Sequence, residues 1–300
     1  MYIVKHRVVF FILSAALIVG SFVAIRMYGI NFGIDFKGGS VLEVSYVQVD
    51  GAVTPTLNQV KTIVDSYLPN SLVSPRGTSG YLMKTKEITQ EEKNTLISLL
   101  TSGGVNPVIV EKFNAIGPVV GNELKQKAYT AIGVVIICIM LFIVFAFRRV
   151  KNSFNYGLAT IIALAHDVII PTGVYVVFSH YTGAEIDLLF VTALLAILGY
   201  SVHDTIVVFD RVRENVLKDG VGKNAHSFEE NVGASVTQTF GRSINTSVTT
   251  FISLLALYFV GGNATANFAF ILLVGIIVGT YSSIFVASPL LVTLESWRKK

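Results

Sequence analysis

Charge and cysteine are what this chain has least of. Only 14% of its 300 residues are Asp, Glu, Lys or Arg, and there is one cysteine and one tryptophan. A soluble domain of ordinary composition carries about 25% charged residues. The lone Cys138 excludes a disulfide framework within the chain and any cysteine-rich metal site. No Gly-x-x-x-x-Gly-Lys run, Gly-x-Ser-x-Gly elbow or His-Glu-x-x-His pair occurs, which removes the usual phosphate-loop, serine-hydrolase and zinc-protease readings. Energy must therefore come from a gradient or a partner, and no cofactor is called for.

Apolar residues take the place of charge. They make up 52% of the chain, and the mean hydropathy is +0.65. Stretches long enough to cross about 30 Å of hydrocarbon at about 1.5 Å per residue occur six times, near 8–28, 128–147, 155–178, 187–209, 243–261 and 267–294. The first is read as a permanent span rather than a cleaved leader. The net charge of +4 suggests nucleic acid until the charges are placed, when they follow topology instead. Lys5 and Arg7 precede the first span, and Arg148, Arg149 and Lys151 follow the second. Arg211, Arg213, Lys218, Lys223 and Arg242 lie between the fourth and fifth, and Arg298, Lys299 and Lys300 end the chain. Loops 179–186 and 262–266 hold no Lys or Arg, so the positive-inside rule puts both termini in the cytoplasm.

Residues 30–126, between the first two spans, hold five of the seven prolines and a near-balanced set of charges. They form an extracytoplasmic domain by this topology. Its pattern predicts a strand at Val41–Val49, a helix at Thr56–Leu68, a strand pair around a turn near Arg76–Gly80, a helix at Thr89–Leu100 and a strand at Pro107–Phe113. Thr89 and Glu92 read as a capping box. The order β-α-β-β-α-β is that of a ferredoxin-like α+β sandwich. The remaining residues, 127–300, make a five-helix bundle with a cytoplasmic loop at 210–242, where Ser227, Glu230 and the spacing of Phe228, Val232, Val236 and Phe240 predict a short amphipathic helix.

Ionisable groups in hydrocarbon cost about 2.5–3.5 kcal/mol each or more, so each needs a partner or a wet cavity. Few occur here. In the fourth span Tyr200, His203, Asp204, Val207 and Arg211 share one helical face, with Ala193, Ala196 and Gly199 offering close approach above them. The third span carries His166 and Asp167, and the fifth carries Arg242, Thr246, Thr249, Thr250 and Ser253 along one side. Packed together, these stripes would form a polar seam in which Asp204 meets Arg211 or Arg242. Burial opposes a charged carboxylate and an arginine favours it, so a movable arginine would switch Asp204 between holding and releasing a proton. A buried Asp–Arg pair can equally serve to fix helix register. Gly275 and Gly279 form a Gly-x-x-x-Gly packing motif in the last span.

The stretches GIDFKGGS (Gly33–Ser40), LGYSVHDTIVVFDRVREN (Leu198–Asn215) and RSINTSVTT (Arg242–Thr250) resemble the SecF family, the smaller membrane subunits of the SecDF protein-export complex within the resistance-nodulation-division superfamily. The resemblance follows the same order and spacing along essentially the whole chain. It implies a non-enzymatic subunit that pairs with SecD, works at the SecYEG channel on preprotein, and draws on the proton-motive force in the bacterial or archaeal cytoplasmic membrane. It also implies a proton relay at Asp204 and Arg242; His203, Thr246, Thr249, Thr250, Ser253, His166 and Asp167 are further relay or seam-lining candidates by their places in the polar stripes. A stand-alone efflux unit of the same superfamily would need a larger external domain than this chain has. A passive scaffold would make Asp204 and Arg242 a structural pair.

Overall fold

The computed structural model describes residues 2–47, 54–101, 107–150, 152–219 and 226–297. The basic residues Lys151, Lys223 and Arg298–Lys300, the last two residues of the strand expected at Val41–Val49, and part of the expected 210–242 loop lie outside the described residues.

In chain order the elements are α1 (Tyr2–Lys5), α2 (Arg7–Tyr28), α3 (Ile34–Lys37), β1 (Gly39–Tyr46), α4 (Leu57–Tyr67), β2 (Leu72–Arg76) and β3 (Gly80–Thr85). They continue with α5 (Gln90–Thr101), β4 (Val108–Ile116), α6 (Pro118–Ala146), α7 (Ser153–Thr182), α8 (Leu188–Asp219), α9 (Phe228–Val260), α10 (Asn263–Ser282), a π turn (Ser283–Ala287) and α11 (Ser288–Trp297). The chain divides into two units, Phe32–Ala128 and the remainder.

The smaller unit is one antiparallel sheet in the order β2-β3-β1-β4. Alternation makes it: Leu42, Val44 and Tyr46 of β1 and Tyr81 and Met83 of β3 turn to one face, against Val60 and Val64 of α4 and Leu96 and Leu100 of α5. Each helix starts on a reciprocal cap, Thr56 with Gln59 and Thr89 with Glu92. The paired glycines of FKGGS have a steric reason. Gly38 and Gly39 lie at φ +76° and +123°, and a Cβ on them would come within 2.8 Å of Pro118 Cα and 2.7 Å of the Thr85 carbonyl oxygen. The motif lets the chain pass hard against the start of α6 and the edge of β3.

The larger unit holds helices α2 and α7–α11 together with most of α6. Among the described residues, six helical stretches are long and apolar enough to cross a membrane: α2, α6, α7, α8, α9 and the interrupted helix Ala264–Trp297. Within the most apolar 18 residues of each stretch, half or more are buried in α7, α8 and the last stretch, against 11% in α6 and α9, so the first three form the centre. Gly275 and Gly279 do pack closely, since side chains there would strike Ile197 and Ser201 of α8. Gly173 of α7 likewise meets Ser21 of α2. At one end Phe147, Tyr156 and Phe209 stack in a cluster with Val208, Val212, Val232, Val236, Ala287 and Leu291.

Three expectations are corrected. The fourth and fifth spans are not joined by a long loop bearing a separate amphipathic helix. Instead α8 and α9 run on as helices of 32 and 33 residues, and the expected amphipathic segment is the first turns of α9. Its predicted cap, Ser227 with Glu230, opens that longer helix; Val232 and Val236 are buried but Phe240 is exposed. Second, of the three small residues expected to allow close approach on α8, only Ala193 is buried, while Ala196 and Gly199 are exposed. Third, the last span is not one regular helix. Pro289 has no N–H for the carbonyl one turn back, the chain widens into the π turn, and the Ser288 hydroxyl instead reaches the Ser283 carbonyl at 2.9 Å.

Candidate functional site

Asp204 sits halfway along the central helix α8, 8% exposed. Its Oδ1 accepts from the Ser243 hydroxyl of α9 at 2.5 Å, while Oδ2 is buried without a hydrogen-bond partner among the described residues. Beside it lies a cavity of about 40 Å³ lined by Tyr200, His203, Asp204, Val207, Arg242 and Thr246. That is room for water, which needs about 10–15 Å³ and two or more polar partners.

The site gathers some expected residues and leaves others out. His203, Arg242 and Thr246 line the cavity with Asp204, but Arg242 and Asp204 form no ion pair. Arg211 does not turn to Asp204 at all. It pairs with Glu214 and donates to Gln238 at 2.5 Å, because one more helical turn carries it past the seam. Thr249, Thr250 and Ser253 bond carbonyls of their own helix at 2.9–3.0 Å, which satisfies them without any neighbour. The inward stripe of α9 is instead Ser243 and Ser247, one residue round the helix from Arg242 and Thr246.

Ser247 continues the chain of hydroxyls. It accepts from Tyr200 at 3.0 Å and lies 2.6 Å from Thr280. Thr205 meets Ser283 of the π turn at 2.9 Å. His166 and Asp167 form a second centre, 2% and 0% exposed. His166 Nδ1 is 2.9 Å from Asp167 Oδ1, and Oδ2 accepts from Ser201 and, at 2.7 Å, from Ser282. The serines were the missed residues. Their signal was spacing: Ser201 is three before Asp204, Ser243 and Ser247 are four apart, and Ser282 and Ser283 stand together ahead of Pro289.

Chemically, Asp204 has one oxygen fixed by a donor and the other free beside a small polar cavity with a guanidinium. Such a carboxyl can bind or release a proton at Oδ2 without giving up the Ser243 bond.

The family described as protein export membrane protein SecD/SecF, C-terminal, matches residues 99–297, and the SecD/SecF GG motif matches residues 27–48. The chain is 41% identical to protein translocase subunit SecF of Thermobaculum terrenum, over 98% of this chain and 94% of the relative. It is 36% identical to the SecF subunit of Anaerolinea thermophila, over 99% and 95% of the two chains. The crystal structure of SecDF, a translocon-associated membrane protein from Thermus thermophilus, superposes with a TM-score of 0.80 at 30% identity and covers all of this chain. The present chain spans 39% of the length of that protein.

Proposed function

The chain belongs to the SecF family of protein translocase subunits, and on that premise we propose that it is the proton-coupled export subunit in which Asp204 takes up and releases the proton. In this reading the protein is a multi-pass subunit of the cytoplasmic membrane with both termini inside. Its smaller unit, residues 30–126 in outline, is a ferredoxin-like domain on the outer side. It works with SecD at the SecYEG channel on emerging preprotein, and carries out no covalent chemistry of its own.

The observation that carries the reading is the geometry at Asp204, a buried carboxyl with one oxygen bonded to Ser243 and the other without a partner among the described residues, in a residue that lines the cavity shared with His203 and Arg242. Arg242 favours the charged carboxylate when near and permits protonation when it withdraws. His203 keeps the cavity polar. Thr246 lines it, while Thr249, Thr250 and Ser253 contribute only through their own helix. Loading a proton removes charge from the α8–α9 interface and changes how tightly Ser243 holds α9. That change in packing is the event that moves the external domain.

Asp204→Asn keeps the size and removes titration. In vesicles containing the chain with SecD, it is expected to abolish gradient-dependent late translocation while assembly with SecD persists. Undiminished translocation would sink the reading. Exchanging the charges, Asp204→Arg with Arg242→Asp, separates relay from scaffold, since only a scaffold regains function.

A further inference from the structure

The His166–Asp167 couple has no task in that cycle, although burying it is costly. We propose that Asp167 is a positioning residue for Asp204, holding α8 and the π turn in the arrangement that sets how Asp204 binds its proton. The proposal rests on the reading of Asp204 as the proton-binding group.

The connections are direct. Asp167 Oδ2 takes hydroxyls from two other helices at once, Ser201 of α8 and Ser282 at the end of α10. Ser201 is one helical turn from Asp204 on the same helix. Ser283, the neighbour of Ser282, meets Thr205 at 2.9 Å and donates to the Ser201 carbonyl at 3.2 Å. A π turn is a poor self-supporting geometry, and here the residue that leads into it, Ser282, is held from α7 by the Asp167 carboxylate. Pro171, four residues on, leaves the Asp167 carbonyl without its helical N–H and makes a natural place for α7 to adapt.

Charge explains why the couple positions rather than carries. One proton shared between His166 and Asp167 leaves the pair neutral whichever atom holds it. Adding or removing one leaves an unpaired charge among apolar groups, at about 2.5–3.5 kcal/mol or more. His166 is closed in further by Tyr281, whose ring is 6.0 Å away. Asp204 lines a cavity, whereas Asp167 is 0% exposed. The titratable or charged groups around the network are Tyr200 and His203 of α8, Arg242 of α9, Tyr281 of α10 and His166 itself.

The test reads Asp204 directly. In the full chain with SecD, a hydrophobic carbodiimide modifies the protonated carboxyl, and mass spectrometry of the Asp204 peptide gives the pH midpoint of labelling. An amide at 167 accepts at only one oxygen, so one serine must turn away. Asp167→Asn and Ser282→Ala are each expected to move the midpoint by at least about one pH unit, tenfold in proton affinity, and Ser282→Thr to restore it. A midpoint unmoved in folded Asp167→Asn and Ser282→Ala protein overturns the proposal. Should Asp167→Asn fail to fold, the Ser282→Ala and Ser282→Thr pair decides by the same midpoint. Loss or retention of translocation in Asp204→Asn judges the relay separately, because labelling does not depend on export.

Discussion

Ser243 and Asp204 are joined at 2.5 Å across α8 and α9, the hydroxyl of one helix donating to the carboxylate of the other. Removing a donor from a buried acceptor costs about 1–3 kcal/mol, more when the acceptor is charged. Ser243→Ala is therefore expected to lower thermal stability in detergent and to impair export, with Ser243→Thr close to normal. Thr249→Ala and Ser253→Ala lose only bonds within α9 and should stay within about 0.5 kcal/mol. Equal losses from all three would show that the outer stripe of α9 also serves the site.

Tyr46 presents the opposite case, a buried hydroxyl without a partner among the described residues. Burial, with Tyr81 nearby, pushes its pKa up to about 12 from 10.0. The folded state thus holds this proton where the unfolded chain has released it. Stability is unaffected below about pH 10 and falls as pH rises from there through about 12. Tyr46→Phe should match or exceed the parent in denaturant unfolding at neutral pH and show a shallower alkaline decline. A destabilised Phe variant would mean that the hydroxyl has a partner after all.

The glycines separate into two groups. Gly38→Ala and Gly39→Ala force a side chain into left-handed backbone and against Pro118 or Thr85, so each should cost at least about 1–2 kcal/mol and reduce the yield of folded protein. Gly20→Ala in α2 and Gly133→Ala in α6 meet open space and should be neutral or gain about 0.5–1 kcal/mol. Thermal shift measurements on the four variants check the contrast.

At the far end of α8, Asp219 accepts from the His226 backbone N–H at 2.6 Å, lies 3.0 Å from its ring Nδ1, and takes a further bond from Asn231 at 3.0 Å. The hydrogen bond and charge of Asp219 raise the His226 pKa above 6.5. The clasp is complete below the unfolded value and is lost as pH rises through the folded one. Asp219→Asn should return the His226 titration, followed by ring proton shifts, to its ordinary range. An unchanged titration would mean that the raised value has another source.

The spans, the capping boxes and the strand–helix order of the smaller unit were legible because each follows from local periodicity or a single cap. That Asp204 and Arg242 come to one polar cavity was legible because charge in an apolar run is rare enough to mark itself. The serines were not. Ser243 resembles Thr246 or Ser253 in sequence, and only the rotation of α9 about its axis decides which hydroxyl meets a neighbour. Nor did the sequence mark how Asp167 divides between Ser201 and Ser282, since that contact depends on one wide turn 115 residues away along the chain.

That wide turn also changes how the last span meets the bundle. A π turn carries about one residue more than an α turn, so the segments on its two sides are rotated by about 100° relative to an unbroken helix. Upstream, Gly275, Gly279 and Ser282 dock on α8 and α7; downstream, Ala287 and Leu291 fill the aromatic-capped cluster at the other end. A uniform helix could keep one of these two docking faces in phase and would turn the other aside. The inserted residue is a phase corrector, and sliding it by a turn would exchange which hydroxyls the carboxylates meet without moving either end of the span.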